Sequence, residues 1–276
     1  MGPVLYFRGV GDHRWRLSAL LTTAGDTPPL LVADELRVEP HRLAERCGQA
    51  LWRYDFSLPF GDGGTDQHYA IGDENWRVRV PAADGALRLA FTACNGSEQG
   101  NTWKSNEKRN ACWLELADEH ARNPFHLLLQ GGDQLYADTV WHEVPALVEW
   151  RKEPWRKRRH MGFSPEMAEA TGDYYFRRYC WLWAQPETAS ILAQVPSLMM
   201  WDDHDIFDGW GSYATGWEQC DVFQGIYAAA REHFSLFQLA AKPDDLPDGF
   251  SDPHGGQFGW AYRIGDIGIL APDLRS

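Results

Sequence analysis

Trp76-Arg77-Val78-Arg79-Val80 alternates apolar and charged side chains, a pattern that predicts a strand with one buried and one solvated face, ended by Pro81. Upstream, VLYF at 4–7 and WRLSALL at 15–21 are short apolar runs separated by clusters of Gly, Asp and Pro. Several short strands bounded by turn residues predict a small N-terminal β-sandwich over residues 1–85. Residues 82–86, Ala-Ala-Asp-Gly-Ala, read as a turn or linker and mark the expected boundary, with 86–276 forming a second domain.

Beyond the boundary the pattern changes. Residues 87–93 predict a strand running into Cys94-Asn95-Gly96, and 126–129 a second running into Gly131-Gly132-Asp133. A third, at 196–200, runs into Trp201-Asp202-Asp203-His204. Helical sequence lies between the last two, over 165–194, and 219–240 carries Val222, Phe223, Ile226, Tyr227, Ala230, Phe234 and Phe237 at helical spacing. Apolar strands alternating with helices indicate an α/β layered domain. Near the end, FGWAYRI and IGILAPDL flank Gly265-Asp266, a hairpin signal. No internal repeat is visible.

Composition narrows the function classes. The 276 residues are 44% hydrophobic and 24% charged, which excludes disorder as a description of the whole chain. With 26 Lys+Arg against 39 Asp+Glu, the net charge of −13 argues against general nucleic-acid binding. The 14 Trp, 10 Tyr and 13 Phe are expected mainly as packing, the alternative being an exposed ring platform. Five cysteines without a close-spaced pair argue against a disulfide framework. Asp12 and two arginines interrupt the N-terminus before any apolar run develops, and no stretch approaches a membrane span, so a cytoplasmic protein is expected, although a processed export signal would leave no trace here.

Three predicted strands therefore stop at polar residues: Cys94; Asp133 with Tyr136 and Asp138; and Asp202, Asp203, His204, Asp205 and Asp208. In open α/β sheets ligands bind beyond the carboxyl ends of strands. Four aspartates within seven positions repel one another unless a cation neutralises them or water solvates each in a turn. Singly, a strand-end Cys, a Gly-Asp pair or a nearby Tyr is more often structural. Jointly, at successive strand ends, they point to a metal site.

FTACNG (91–96), GGDQLYAD (131–138), MWDDHDIFDGWGS (200–212) and LAPDLRS (270–276) resemble the ordered motifs of the PhoD-like alkaline phosphatase D family of metallophosphoesterases. The resemblance covers residues 88–276 by motif, and the N-terminal third by architecture only. It implies an N-terminal β-sandwich followed by the first part of a four-layer αββα domain. It also implies a metal-dependent phosphoric ester hydrolase whose metal-held hydroxide attacks phosphorus in line with the leaving oxygen. By the same resemblance Asp133 bridges metals, Tyr136 and Cys94 ligate Fe3+, and Asp203 or Asp208 serves as a further ligand, Ca2+ being the second metal and other divalent ions being options. His204 falls where relatives contact phosphate. Arg275 is either a bidentate phosphate grip or a structural partner of Asp273.

One departure is expected to matter. By the same resemblance, family members carry a further Gly-Asp-x-His segment that completes the metal site, and no such segment is present, so either a missing C-terminal part of the same protein or a degenerate relative is expected, with weak or absent metal binding and activity in this chain alone. The expected partner is a small phosphate ester. The run from Trp150 to His160 is basic and aromatic, either a substrate funnel or a solvated helix face. A competing reading of the whole chain is a non-catalytic, phosphatase-like module that binds an envelope or carbohydrate partner.

Overall fold

The computed structural model describes residues 1–60, 64–83, 85–96 and 106–276. In chain order its strands are β1 (Val4–Gly11), β2 (Arg14–Ala24), β3 (Leu31–Ala33), β4 (Leu36–Val38), β5 (Pro40–Arg46), β6 (Gln49–Pro59), β7 (Thr65–Ile71), β8 (Glu74–Val80), β9 (Leu89–Thr92), β10 (Leu127–Gln130), β11 (Ser197–Met199), β12 (Trp260–Ile264) and β13 (Ile267–Ala271). The helices are α1 (Asn106–Arg109), α2 (Ala111–Arg122), α3 (Val140–Glu143), α4 (Pro145–Lys152), α5 (Trp155–Arg158), α6 (Pro165–Trp183), α7 (Pro186–Leu192), α8 (Thr215–Glu218) and α9 (Asp221–His233).

The expected α/β architecture is present, but its main sheet does not respect the boundary expected near residue 85. Seven strands run in the order β5-β6-β2-β1-β11-β10-β9, so four from the N-terminal third continue the sheet that carries the predicted site. The physical reason lies in Val4–Phe7, which are buried on both faces. An apolar run of that kind belongs in the middle of a parallel sheet, whereas a half-solvated sandwich strand alternates. Accordingly β1 pairs in parallel with β11, placing Tyr6 opposite Ser197, while β2, β6 and β5 follow as antiparallel neighbours. The alternating segment around Trp76 forms β8, in a separate four-stranded sheet of order β4-β3-β7-β8. That sheet meets β6 through Phe56 and Tyr69, whose ring centroids are 5.5 Å apart.

The predicted helix over 165–194 is two helices. Ser164 caps α6 by accepting from the Met167 N–H at 3.1 Å. Pro186 forces Gln185 into an extended conformation and starts α7. The second predicted helix ends as α9 at His233 and passes into a π-helical turn, Phe234–Gln238, all five residues of which are buried. Gly265 supplies the positive φ, +57°, that turns β12 into β13. Trp15, Trp52, Trp113, Trp150, Trp183, Trp201, Trp210 and Trp260 are buried, in line with aromatics as packing, whereas Trp155 and Trp181 are exposed. The cysteines are unpaired. Among the described residues no helix is long and apolar enough to cross a membrane.

Candidate metal centre

The parallel strands β9 and β10 end side by side, and both chains turn through a left-handed residue: Cys94 at φ +60° and Asp133 at φ +57°. Non-glycine residues in this region cost about 1–3 kcal/mol each and persist where surrounding bonds hold them. Here the Cys94 N–H donates to the Gly132 carbonyl at 3.0 Å and the Asn95 N–H to the Asp133 carbonyl at 2.8 Å. Gly132 (φ +124°) must be glycine, because a Cβ there would stand 2.6 Å from Cβ of Asp202. That close approach brings the loop after β10 against the one after β11.

The side chains converge. Oxygens of Asp133 and Asp203 and a ring nitrogen of His204 lie within 4.8 Å of one another, a spacing that suits a shared metal ion. The Cys94 thiol donates to Oδ2 of Asp133 at 3.4 Å and is hydrogen-bonded to the Tyr136 hydroxyl. Tyr136 stacks on the His204 ring at 4.2 Å. On the far side of His204, Nδ1 is 2.9 Å from Oδ2 of Asp138, and the His204 backbone N–H donates to Oδ1 of Asp133 at 3.2 Å.

The electrostatics show acid groups short of positive charge. Burial, with Asp202 and Asp203 adding repulsion, pushes the Asp133 carboxyl up. Burial and the neighbouring Asp133 push the Cys94 thiol up, and burial with Asp133, Cys94 and Asp138 pushes the Tyr136 hydroxyl well above its usual range. Burial pulls His204 down, but its bond to Asp138 and the charges of Asp133 and Asp203 outweigh that and hold it at about 9. A bound cation would reverse the penalty on all three acids, so the donor set fits a metal.

Beneath this cluster lies a buried polar layer. Asp205 accepts from the N–H groups of Asp133 (2.8 Å), Leu135 (2.8 Å) and Asp202 (2.9 Å) and from Nε2 of Gln238 (2.7 Å). Burial pushes its carboxyl up to about 7, against donors that favour the ionised form. Gln134 accepts from the Gly132 N–H and donates to the Met200 carbonyl and to Oε1 of Gln238. Gln238 also donates to the Tyr179 hydroxyl at 2.9 Å.

Of the residues singled out from sequence, Cys94, Asp133, Tyr136, Asp203 and His204 meet here. Asp208 stands apart: it is exposed, its N–H donates to Oδ1 of Asp138 at 2.7 Å, and its side chain lines a neighbouring cleft. Arg275 is held rather than open. Its guanidinium donates to Asp202 and to the Trp210 carbonyl (2.7 Å) and lies 3.6 Å from Asp203. Asp273, the partner expected for it, instead accepts the Arg275 backbone N–H. Asp138 and Asp205, counted from sequence among the strand-end polar residues of a metal site, instead serve here as the partner of His204 and as an acceptor of backbone N–H groups, while sequence reasoning assigns Gln134 no role and nothing local marks Gln238.

The chain has a mixed α/β fold whose strand ends gather carboxylates, a histidine and a thiol at a candidate metal site. Residues 90–252, more than half of the chain, match the PhoD related phosphatase family, and the chain belongs to that family. It is 26% identical over 206 residues to Uncharacterized protein YGR266W of Saccharomyces cerevisiae, covering 68% of this chain and 29% of that protein. Its structure is similar to the solved structure of PhoD, with a TM-score of 0.54 and 15% identity, covering 99% of this chain and 51% of that one. The likeness at that identity is one of fold. The chain thus spans under a third of the yeast protein and about half of the PhoD chain.

Proposed function

We propose that this chain carries the site of a metal-dependent phosphoric ester hydrolase. The observation behind the reading is the convergence of Asp133, Asp203 and His204 at the carboxyl ends of adjacent strands, in a member of a phosphatase family. Asp133, Asp203, Cys94 and Tyr136 would hold the metal, the thiol and phenol favouring iron and the carboxylates also suiting calcium. A bound metal supplies Lewis acidity at the phosphoryl group.

The chain's own residues do the rest. Asp138 pairs with Nδ1 of His204 and fixes the ring, leaving Nε2 to face either the metal or a phosphoryl oxygen. Tyr136, stacked on the ring's face, limits its rotation. Asp205 keeps the Asp133 and Leu135 N–H groups occupied and so holds the strained turn that aims Asp133. Arg275 takes up the charge of Asp202 and lies 3.6 Å from one oxygen of Asp203, so Asp133 is the acid it leaves unpaired.

The test is metal analysis and calorimetric titration of the protein purified at its natural length, followed by assay with p-nitrophenyl phosphate and bis(p-nitrophenyl) phosphate, this chain alone being expected to bind metal and turn over ester weakly or not at all. Stoichiometric metal is expected, with affinity lowered tenfold or more in Asp133→Asn and Asp203→Asn. With iron bound, a visible tyrosinate band should disappear in Tyr136→Phe. A protein that takes up no metal and hydrolyses neither ester sinks the reading.

A further inference from the structure

Beside the acid cluster opens a cleft of 430 Å³ lined by Asp138, the partner of His204, and by Asp208. Its other walls come from the basic, aromatic run: Trp150 and Arg151 on α4 and Arg158 at the end of α5, facing Trp217 and Phe223 from α8 and α9. The lysines of that run behave as a solvated helix face would, each paired with a local acid: Lys152 with Glu149 at 2.5 Å and Lys157 with Glu153 at 2.7 Å. The two arginines that line the cleft differ. Arg158 lies 5.0 Å from the Trp150 ring and 5.2 Å from the Trp217 ring, and its Nε is buried without a hydrogen-bond partner among the described residues. Arg151 donates to the Trp141 carbonyl at 3.3 Å and lies 3.2 Å from the His142 ring nitrogens.

In a chain of net charge −13, two arginines without carboxylate partners among the described residues form a local positive site at one aromatic cleft. Two indoles hold the Arg158 guanidinium in place, so little side-chain entropy is lost when an anion binds it. Asp138 and Asp208 line the end next to the acid cluster, so an anion is repelled there and drawn toward the arginines.

We propose that this cleft binds a flat aromatic group carrying a carboxylate or phosphate, with its ring against Trp150, Trp217 and Phe223 and its anion on Arg158 and Arg151. In the hydrolase this is the leaving-group side of the ester, an assignment that rests on the function proposed above; the binding itself does not.

The probes are 1-naphthoate, which has the ring and charge but no phosphate, and neutral 1-naphthamide, each titrated calorimetrically into the protein. Naphthoate should bind at least tenfold more tightly than the amide. Arg158→Gln and Arg151→Gln should each remove most of that preference, and Arg122→Gln, on an exposed helix face elsewhere, none of it. Arg151 is exposed, so its variant keeps the test sound if Arg158→Gln misfolds. In the assay, 4-carboxyphenyl phosphate should show a lower KM than phenyl phosphate, and both arginine variants should erase that difference. Equal binding of the two probes to the wild type, or arginine variants that keep the preference, overturns the cleft assignment. Selective naphthoate binding by a protein inert toward every ester would instead sink the hydrolase reading and leave the cleft standing.

Discussion

Asp133 and Asp205 come from neighbouring loops and are both buried, yet their surroundings divide them sharply. Asp205 is met by four N–H donors, which makes it a strut. Asp133 receives one backbone N–H and a thiol, and faces Asp202 and Asp203. A carboxylate whose lone pairs are filled from within holds the fold, and one left short of donors is available to a cation. Burial alone does not separate the two roles; the supply of N–H groups does.

The largest effect should come from removing the strut. Asp205→Ala leaves three backbone N–H groups and the Gln238 amide without that acceptor and should cost about 3–5 kcal/mol by urea denaturation. Asp133→Asn should leave stability within about 1 kcal/mol of wild type, since the charge it removes is already disfavoured. Equal losses from both would break the contrast.

A pH-dependent effect belongs to the histidines. Burial pulls His120, His126 and His233 down to about 4 from a usual 6.5. Below pH 6.5 the unfolded chain takes up protons that these folded imidazoles refuse, so stability falls as pH falls toward 4, by up to about 1.4 kcal/mol per pH unit for each histidine. His233 hydrogen-bonds the Ala229 carbonyl through Nδ1 and leaves Nε2 buried without a partner among the described residues. His233→Phe should therefore change stability at pH 7 by no more than about 1 kcal/mol and make the acid limb shallower by one proton. An unchanged slope would show that His233 titrates normally. The smallest effect should come from Arg275→Gln, whose half-solvated pairs with Asp202 and Asp203 are worth about 1 kcal/mol or less in stability.

Much of the site was legible in the chain. Cys94, Asp133, Tyr136, Asp203 and His204 were readable because each follows closely on an apolar strand, and strand ends at one sheet edge converge by construction. Asp208 belongs to the same run of aspartates but stands apart, because the chain turns away through the 3-10 turn at Asp203–Asp205. Gln238 could not be found at all, since its amide reaches Asp205 from a π-helical turn 33 residues further along the chain.

The amino-acid sequence by itself determined the α/β alternation, the strands that end in chemistry, and the hairpin turn at Gly265, because these depend on local periodicity and backbone sterics. Tertiary structure decided that β1 enters the middle of the site-bearing sheet, that Arg275 serves the acids around it, and that Asp205 is a strut while Asp133 is open. Each of those outcomes depends on which distant donor arrives beside which acceptor, and long-range pairing sets that.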